Sequence, residues 1–529
     1  MVGNGRGWVV AALVLAIAGC GSKKSTHSSE TRSSTPSGSS TTESDAERSI
    51  LSRPSRRIAH RLKETMSIRV FATSGMPDND ALIGALKELF AAYAEASKQS
   101  DGEPRIRFEF IDPKSDEQRR EAKDAGIQEQ TFATKDANVP DKATVMRGFM
   151  GIAFAYAKEK DTIPYWPPNE PRGLEFFISH KMHELLAVTE GTRTRIGVIT
   201  GKDEIKLSDD VLAPGDGPYN LKSIFAQYLP MYDLVEIDLG GGERPIDDGV
   251  DGVLVTQPGK DYTERELRQI DAFVMRGGKS LTVLASAVNL RPYDASLTAT
   301  LSTHGLAPLL SGYGVEMHAD LVSDWEQSFA LPLATPEGEA KSIPVWWVPA
   351  PAPPSLDDTF LPFFRLKSLT LPFASSLSVH ADRQPDATVK ARARSSPTAS
   401  VQTGSELDLG LNHSLMKAPP AGSSQQVLAV SVEGPLRSAF DAELSSKSPS
   451  NVLVIASSGF PTNPFARAGK APPMPPQLRM MGGSSGDHDL LTVAQIYSKE
   501  AFPTMVLALK NTFDWMSGDP DLRELNGVL

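Results

Sequence analysis

Polar and apolar residues alternate along Ser67 to Thr73 (SIRVFAT), the period-two signature of a half-buried strand. From Asp80 to Ala96 the period lengthens to that of a helix, with Leu82, Ile83, Leu86, Leu89 and Phe90 on one face. Arg105 to Ile111 (RIRFEFI) alternates strictly and closes on Asp112-Pro113; a short polar helix is expected over Asp116 to Asp124. Phe149 to Tyr156 predicts a further strand, and Leu174 to Leu186 a further helix. This β-α-β-α-β-α order predicts an N-terminal α/β domain over residues 58–190, thioredoxin-like in outline.

A second α/β unit, residues 191–529, opens with RIGVIT at Arg195, a short apolar run of the kind buried in parallel sheets. A helix over Asn220 to Leu229 and strands over Asp233 to Asp238 and Gly252 to Thr256 follow. The next helix carries its own boundary signals. Thr263 and Glu266 have capping-box spacing, Leu267, Ile270, Phe273 and Val274 form the apolar stripe, and Gly277-Gly278 supply a positive-φ stop. Ser280 to Leu284 (SLTVL) gives another strand, so the expected architecture is a parallel, doubly wound sheet. Beyond Asp324 the pattern breaks. Val345 to Pro354 (VWWVPAPAPP) and Pro385 to Gln425 are rich in Pro, Ser, Ala and Gly, which predicts a long loop-rich insertion over about residues 335–425. Core signal returns at Val427 to Val432 and Val452 to Ala456; residues 462–489 form a loop, and Leu490 to Met516 is helical. No internal repeat is apparent.

The ends differ from this body. Trp8 to Ala18 is an uncharged apolar run, too short for the roughly 20 residues of a bilayer-spanning helix but suited to the core of a secretory signal. Ile17, Ala18, Gly19 and Cys20 then fit a lipobox, predicting a signal peptide over residues 1–20 and a mature chain that begins at a lipidated Cys20. An ordinary cleavable signal followed by a chance cysteine is the plainer alternative. Residues 21–57, dense in Ser and Thr up to about Arg48, are expected to form a disordered tether. Gly21 is not the Asp that commonly retains lipoproteins at the inner membrane, which leaves the choice of membrane open.

Composition narrows the chemistry. The 529 residues carry a formal net charge of -11, which argues against a nucleic-acid partner. Cys20 is the sole cysteine; once committed to lipid it leaves no disulfide, thiol nucleophile or thiolate metal site in the body. Gly482 to Gly486 satisfies the GxSxG pattern, with Ser484 at its centre and His488 nearby, but a proline-rich stretch precedes it where a strand is required. His180, His183 and Glu184 (HKMHE) miss the i, i+4 spacing of a zinc helix and read as a solvated helix face. Gly197 to Asp203 (GVITGKD) is one residue short of a phosphate loop, and Gly240 to Gly242 lacks dinucleotide-loop spacing. No catalytic constellation, cofactor site or metal site emerges.

Against that background RIGVITGKDE, YNLKSIFAQYLPMYDLVEIDL and GVDGVLVTQPGKDYTERELRQIDAFVMRGGKSLTVL resemble the gliding-motility GldG family of auxiliary components of ABC-type transport systems. The shared features are Gly201 and Glu204 after a strand, Pro258 in a loop, and a helix with Ile270-Asp271-Ala272-Phe273 ending at Gly277-Gly278. Asp112-Pro113, Ala122 to Ile127, Leu174 to Phe176, Leu309 to Val315, Pro372 to Leu377 and Asp514-Trp515 extend the likeness over most of residues 60–520. The resemblance implies a non-enzymatic, extracytoplasmic partner of ABC permease and ATPase subunits, with an amidotransferase-like α/β fold lacking the catalytic cysteine. The family's usual membrane helices have no counterpart here, so contact from the membrane surface is expected through a lipid anchor facing the periplasm. Loops after parallel strands gather at one sheet edge, which makes Gly201, Lys202, Glu204, Pro258 and Gly259 the candidate interaction edge. The competing expectation is a free-standing periplasmic solute-binding lipoprotein, in which Trp166, Trp325, Trp346 and Trp347 could stack on sugar rings.

Overall fold

The structure is a computed structural model that describes residues 50–76, 79–135, 143–168, 173–204, 206–208, 220–291, 293–334, 340–410, 424–469 and 488–525. Cys20, most of the Ser/Thr-rich segment and Ser484 lie outside the described residues. The chain divides into two units, Met1–Glu190 with Glu524–Leu529, and Gly191–Arg523.

In the first unit, regular structure starts earlier than the composition suggests. Arg53–His60 is a helix whose Ser52 side chain accepts from the Ser55 amide, and Leu51, Pro54, Ile58 and Ala59 are buried. The expected disorder up to residue 57 is therefore corrected over its last residues, because charged side chains hide a short amphipathic face within a polar stretch. Strands β1 (Met66–Ala72) and β2 (Ile106–Ile111) pair in parallel around the Asn79–Ala96 helix, which buries Leu82, Leu86, Leu89, Phe90 and Tyr93. A third helix, Asp116–Asp124, starts with a Ser115/Gln118 capping box. Strands β3 (Glu129–Lys135), β4 (Ala143–Tyr156) and β5 (Glu159–Ile163) complete a sheet of order β2-β1-β4-β3, with β5 also on β4. Polar β3 and β5 carry too little apolar pattern to be read from sequence; they exist by pairing with β4. The helix Leu174–Glu190 ends the first segment of the unit.

The second unit is built on a nine-stranded sheet. Strands β6 (Thr194–Thr200), β7 (Tyr232–Asp238), β8 (Gly252–Thr256) and β9 (Ser280–Leu284) are parallel, in the spatial order β7-β6-β8-β9. Strands β10 (Val288–Leu290), β11 (Thr298–Leu301), β12 (Val315–Met317), β13 (Leu321–Ser323), β14 (Ser328–Ala334) and β15 (Ala340–Pro349) follow. Next come β16 (Leu377–Val379), β17 (Thr388–Arg394), β18 (Ser400–Gln402), β19 (Leu407–Asp408), β20 (Val427–Gly434) and β21 (Ser450–Ile455). β21 joins β9 in parallel, while β20, β16 and β12 extend that side antiparallel and β17 also pairs with β20. The sheet is thus mixed rather than uniformly parallel. Every residue of β8, β9 and β21 is buried, which explains why these runs are continuously apolar rather than alternating.

The helix Glu264–Met275 packs Leu267, Ile270, Phe273 and Val274 into the main core, each contributing ~1.5–3 kcal/mol on full burial. Gly277, at φ 81°, follows it, and an added Cβ would stand 2.4 Å from the Ser448 amide nitrogen, so glycine is required there both by backbone angle and by space. Asp271 on this helix accepts from Tyr313 Oη at 2.6 Å, Ser438 Oγ at 2.6 Å and the Ala439 amide at 2.9 Å. The family-like residues Asp271 and Tyr313 are therefore one buried cross-link, not surface chemistry.

The expectation of long loops over residues 335–425 is corrected as well. β16 and β17 enter the main sheet, and Trp346, Trp347, Phe360, Phe363 and Phe364 are buried. Trp347 lies stacked on Phe373 with ring centroids 5.0 Å apart. Proline and serine break the periodicity without preventing burial. The expected continuous helix from Leu490 is two helices, His488–Glu500 and Phe502–Met516, separated at Ala501.

Candidate functional site

The parallel core strands run β7-β6-β8-β9-β21 in space but β6, β7, β8, β9, β21 in sequence, so the chain reverses its direction of travel between β6 and β8. In open α/β sheets the crevice outside the carboxyl ends of the strands at such a reversal is the usual ligand position. The Gly201–Glu204 and Gln257–Gly259 loops leave the sheet there, which brings together all the residues of the predicted interaction edge.

The crevice is filled by the protein's own groups. The Gly259 amide donates to the Lys202 carbonyl at 2.8 Å, and the Lys202 amide donates to Glu204 Oε2 at 2.7 Å. Tyr262 Oη donates to the other oxygen of Glu204 at 2.8 Å. Lys202 Nζ stands 2.8 Å from Glu266 Oε2, which also accepts from the Thr263 amide and hydroxyl, both at 2.8 Å. The capping box of the Glu264–Met275 helix is thus joined to the β6 loop by an ion pair. Burial opposes ionisation of Glu266, but the bonds from Lys202 and Thr263 outweigh it and hold its carboxyl below the usual value. Burial and the adjacent Glu204 carboxylate push the Tyr262 phenol well up. Of the predicted edge, Glu204 and Pro258 are buried, while Gly201 and Gly259 are exposed and Lys202 is half-buried. Only those last three reach a surface.

Beside this closed crevice, an open cleft of about 600 Å³ runs along the ends of β8, β9 and β21. Asp203, Pro258 and Gly259 form one wall; Val288, Leu290, Pro464 and Ala468 give apolar surface; Tyr293, His304, Arg291 and Arg467 complete the lining. Its floor is tied down by amides. Gln257 Nε2 donates to the Ser286 carbonyl at 3.1 Å and to Asn289 Oδ1 at 2.6 Å, while Gln257 Oε1 accepts from the Ser286 amide at 2.9 Å. Asn289 Nδ2 donates to the carbonyls of Ala287 and Ser302, both at 2.9 Å. His304 Nδ1 lies 2.8 Å from Asp261, and Arg291 pairs with Glu406 at 2.8 Å. Sequence reasoning missed Gln257, Asn289, Tyr293, His304 and Arg467. The same edge rule applied to the loops after β9 and β21 would have reached most of them.

Elsewhere the structure revises other readings. His180, His183 and Glu184 are buried in the first unit, not on a solvated face. Lys181 donates to Glu184 Oε2 at 2.7 Å, the other Glu184 oxygen lies 3.1 Å from His180 Nδ1, and Lys181 also meets Asp161 at 2.6 Å. Burial works against the charge on Lys181, but Asp161 and Glu184 prevail and hold its pKa above the ordinary lysine value. No group of residues able to hold a metal ion occurs among the described residues. Trp166, Trp346 and Trp347 are buried core residues, which leaves Trp325, 40% exposed, as the one of the four expected sugar-stacking rings that solvent reaches. Among the described residues, no helix is long and apolar enough to cross a membrane.

These features fall within a recognised family. Residues 193–486, more than half of the chain, match the family described as an ABC-type uncharacterized transport system, and the protein belongs to it. That family comprises auxiliary components of ABC-type transport systems, which is not an enzyme class. Residues 45–153 match a domain of unknown function (DUF7088). No curated protein matches the chain. A solved structure, the exo-beta-1,4-mannosidase Op5Man5 from Opitutaceae bacterium strain TAV5, aligns over 62% of this chain at 12% identity with a TM-score of 0.20. The chain spans 38% of that enzyme's length, and the likeness is too slight to bear on fold or activity.

Proposed function

We propose that the protein is a non-enzymatic, lipid-anchored auxiliary subunit that meets the permease and ATPase assembly of an ABC-type transport system from the extracytoplasmic face, in the manner of the gliding-motility GldG group. The family match over residues 193–486 carries this reading. Supporting it, the sequence around Cys20 suits lipidation, and the residues that resemble the family's pattern are engaged in packing and capping rather than in catalysis. The exposed parts of the β6 and β8 loops, Gly201, Lys202 and Gly259, are the proposed contact surface. On this reading the first unit, with its β2-β1-β4-β5 neighbours, is thioredoxin-like and the second amidotransferase-like.

The test is affinity capture of the full chain from its own membranes in mild detergent, with palmitate labelling in parallel. Co-purification of permease and ATPase subunits, weakened by Gly259→Arg, and labelling that disappears in Cys20→Ala are expected. Capture without any transporter subunit would overturn the auxiliary role, and labelling that persists in Cys20→Ala would overturn the anchor.

A further inference from the structure

We infer that the cleft at the ends of β8, β9 and β21 is a binding site for a small organic oxyanion: a molecule with a carboxylate or phosphate group on a flat or apolar body. The inference goes beyond the auxiliary role and does not depend on it. It starts from size: about 600 Å³ lies within the range of roughly 300–1,000 Å³ typical of small-molecule sites.

Charge then selects the ligand. The charged groups on the lining are mostly neutralised where they stand. Asp203 pairs with Lys260 at 2.9 Å and Arg291 with Glu406 at 2.8 Å, while His304 Nδ1 is held 2.8 Å from Asp261. Arg467 differs. It lines the cleft half-buried, and among the described residues no carboxylate pairs with its guanidinium. A half-buried arginine without a counter-ion is a planar fork of donors suited to bidentate capture of a carboxylate or phosphate. Among the described residues the cleft therefore presents one uncompensated positive charge, in a protein whose net charge is -11. A fixed local cation against an acidic background favours specific binding of a small anion over general attraction of polyanions.

Shape supplies the rest. Tyr293 stands at the cleft 38% exposed, with its backbone held at φ 59°, a region that bulky residues seldom occupy. Asp203 and His304, also on the lining, share positive φ, at 57° and 46°. Val288, Leu290, Pro258 and Pro464 offer apolar walls, and the Gln257–Asn289 amide floor is already satisfied internally, so it is fixed before anything binds. The arrangement matches a ligand whose oxyanion meets Arg467 while its body lies against Tyr293 and the apolar walls.

The test uses the purified full chain and three probes: phenyl phosphate, inorganic phosphate and benzyl alcohol, titrated by ligand-observed NMR. Phenyl phosphate should bind more tightly than either of the others. Arg467→Ala should weaken phenyl phosphate by about tenfold, as for loss of ~1.4 kcal/mol of charge-assisted bonding, and leave benzyl alcohol unchanged. Tyr293→Asn, which keeps a residue tolerant of positive φ, should weaken phenyl phosphate severalfold and leave inorganic phosphate unchanged. Arg467→Lys, which conserves charge but loses the fork, should fall between wild type and Arg467→Ala, and it serves in place of the alanine variant should that fail to fold. Absence of saturable binding, equal affinity for phenyl phosphate and benzyl alcohol, or an unaltered affinity in the Arg467 variants would each overturn the assignment.

Discussion

At the β6–β8 end of the sheet edge, Lys202, Glu204, Tyr262, Thr263 and Glu266 satisfy one another's bonds. At the neighbouring β9–β21 end, Arg467 and Tyr293 face a cleft that nothing in the described chain fills. Both regions stand where loops leave parallel strands, and strand topology alone would mark the first as the ligand position. The side chains reverse that ranking. An ion pair and a capping box spend the crevice's polar groups on holding loop to helix, while the next pair of strand ends keeps a donor and a ring available. A topological switch point identifies where a site can form; whether it is open depends on which side chains have already found partners.

The contrast can be broken most forcefully at Lys202. Replacing it by methionine leaves Glu266, with 5% of its side chain exposed, without its cation. Losing one partner of a buried pair costs about 3–5 kcal/mol, and the partial exposure of Lys202 places the expected loss near 3 kcal/mol in urea denaturation. The double variant Lys202→Met/Glu266→Met should recover most of it. A single variant as stable as wild type would show that the crevice is not closed by this pair.

Tyr262→Phe is the next step down. It removes the donor to the buried Glu204 at constant shape and should cost about 2 kcal/mol by the same measurement. The pH dependence is smaller still. Because the Glu266 carboxyl is held below its ordinary value of 4.5, its stabilising contribution is fully present above that pH and is lost as the pH falls through the lowered value. Thermal melts should therefore decline below pH 4.5 more steeply in wild type than in Lys202→Met/Glu266→Met. Arg467→Ala closes the series: it should change stability by no more than about 0.5 kcal/mol while weakening phenyl phosphate in the cleft by about tenfold. A large loss of stability there would make Arg467 a structural residue and remove the contrast.

Much of the fold is legible in the chain because its local signals agree with its tertiary ones. The Thr263/Glu266 box, the stripe of Leu267, Ile270, Phe273 and Val274, and the Gly277-Gly278 stop all describe one helix, and that helix forms with those boundaries. The apolar runs of β8, β9 and β21 are equally plain because both faces of each strand are covered. Legibility fails where burial is arranged by distant partners. HKMHE looks like a wet helix face because its charges are visible in sequence, whereas the Asp161 and Lys181 bonds that allow Glu184 to be buried are not. Residues 335–425 look loop-rich because proline interrupts periodicity, yet Trp347 finds Phe373 and β17 finds β20.

For the candidate site the division is the same. The sequence alone determined that the β6 and β8 loops emerge at one edge, since strand–helix alternation leaves few other topologies. Only the tertiary structure decided that Lys202 and Glu204 would be consumed there by Glu266 and Tyr262, and that Arg467, more than 200 residues further along, would line open space beside them. Periodicity records which face of an element is dry; it carries no information about which charge on one element will meet which charge on another, because that depends on distances set only when the whole sheet has closed.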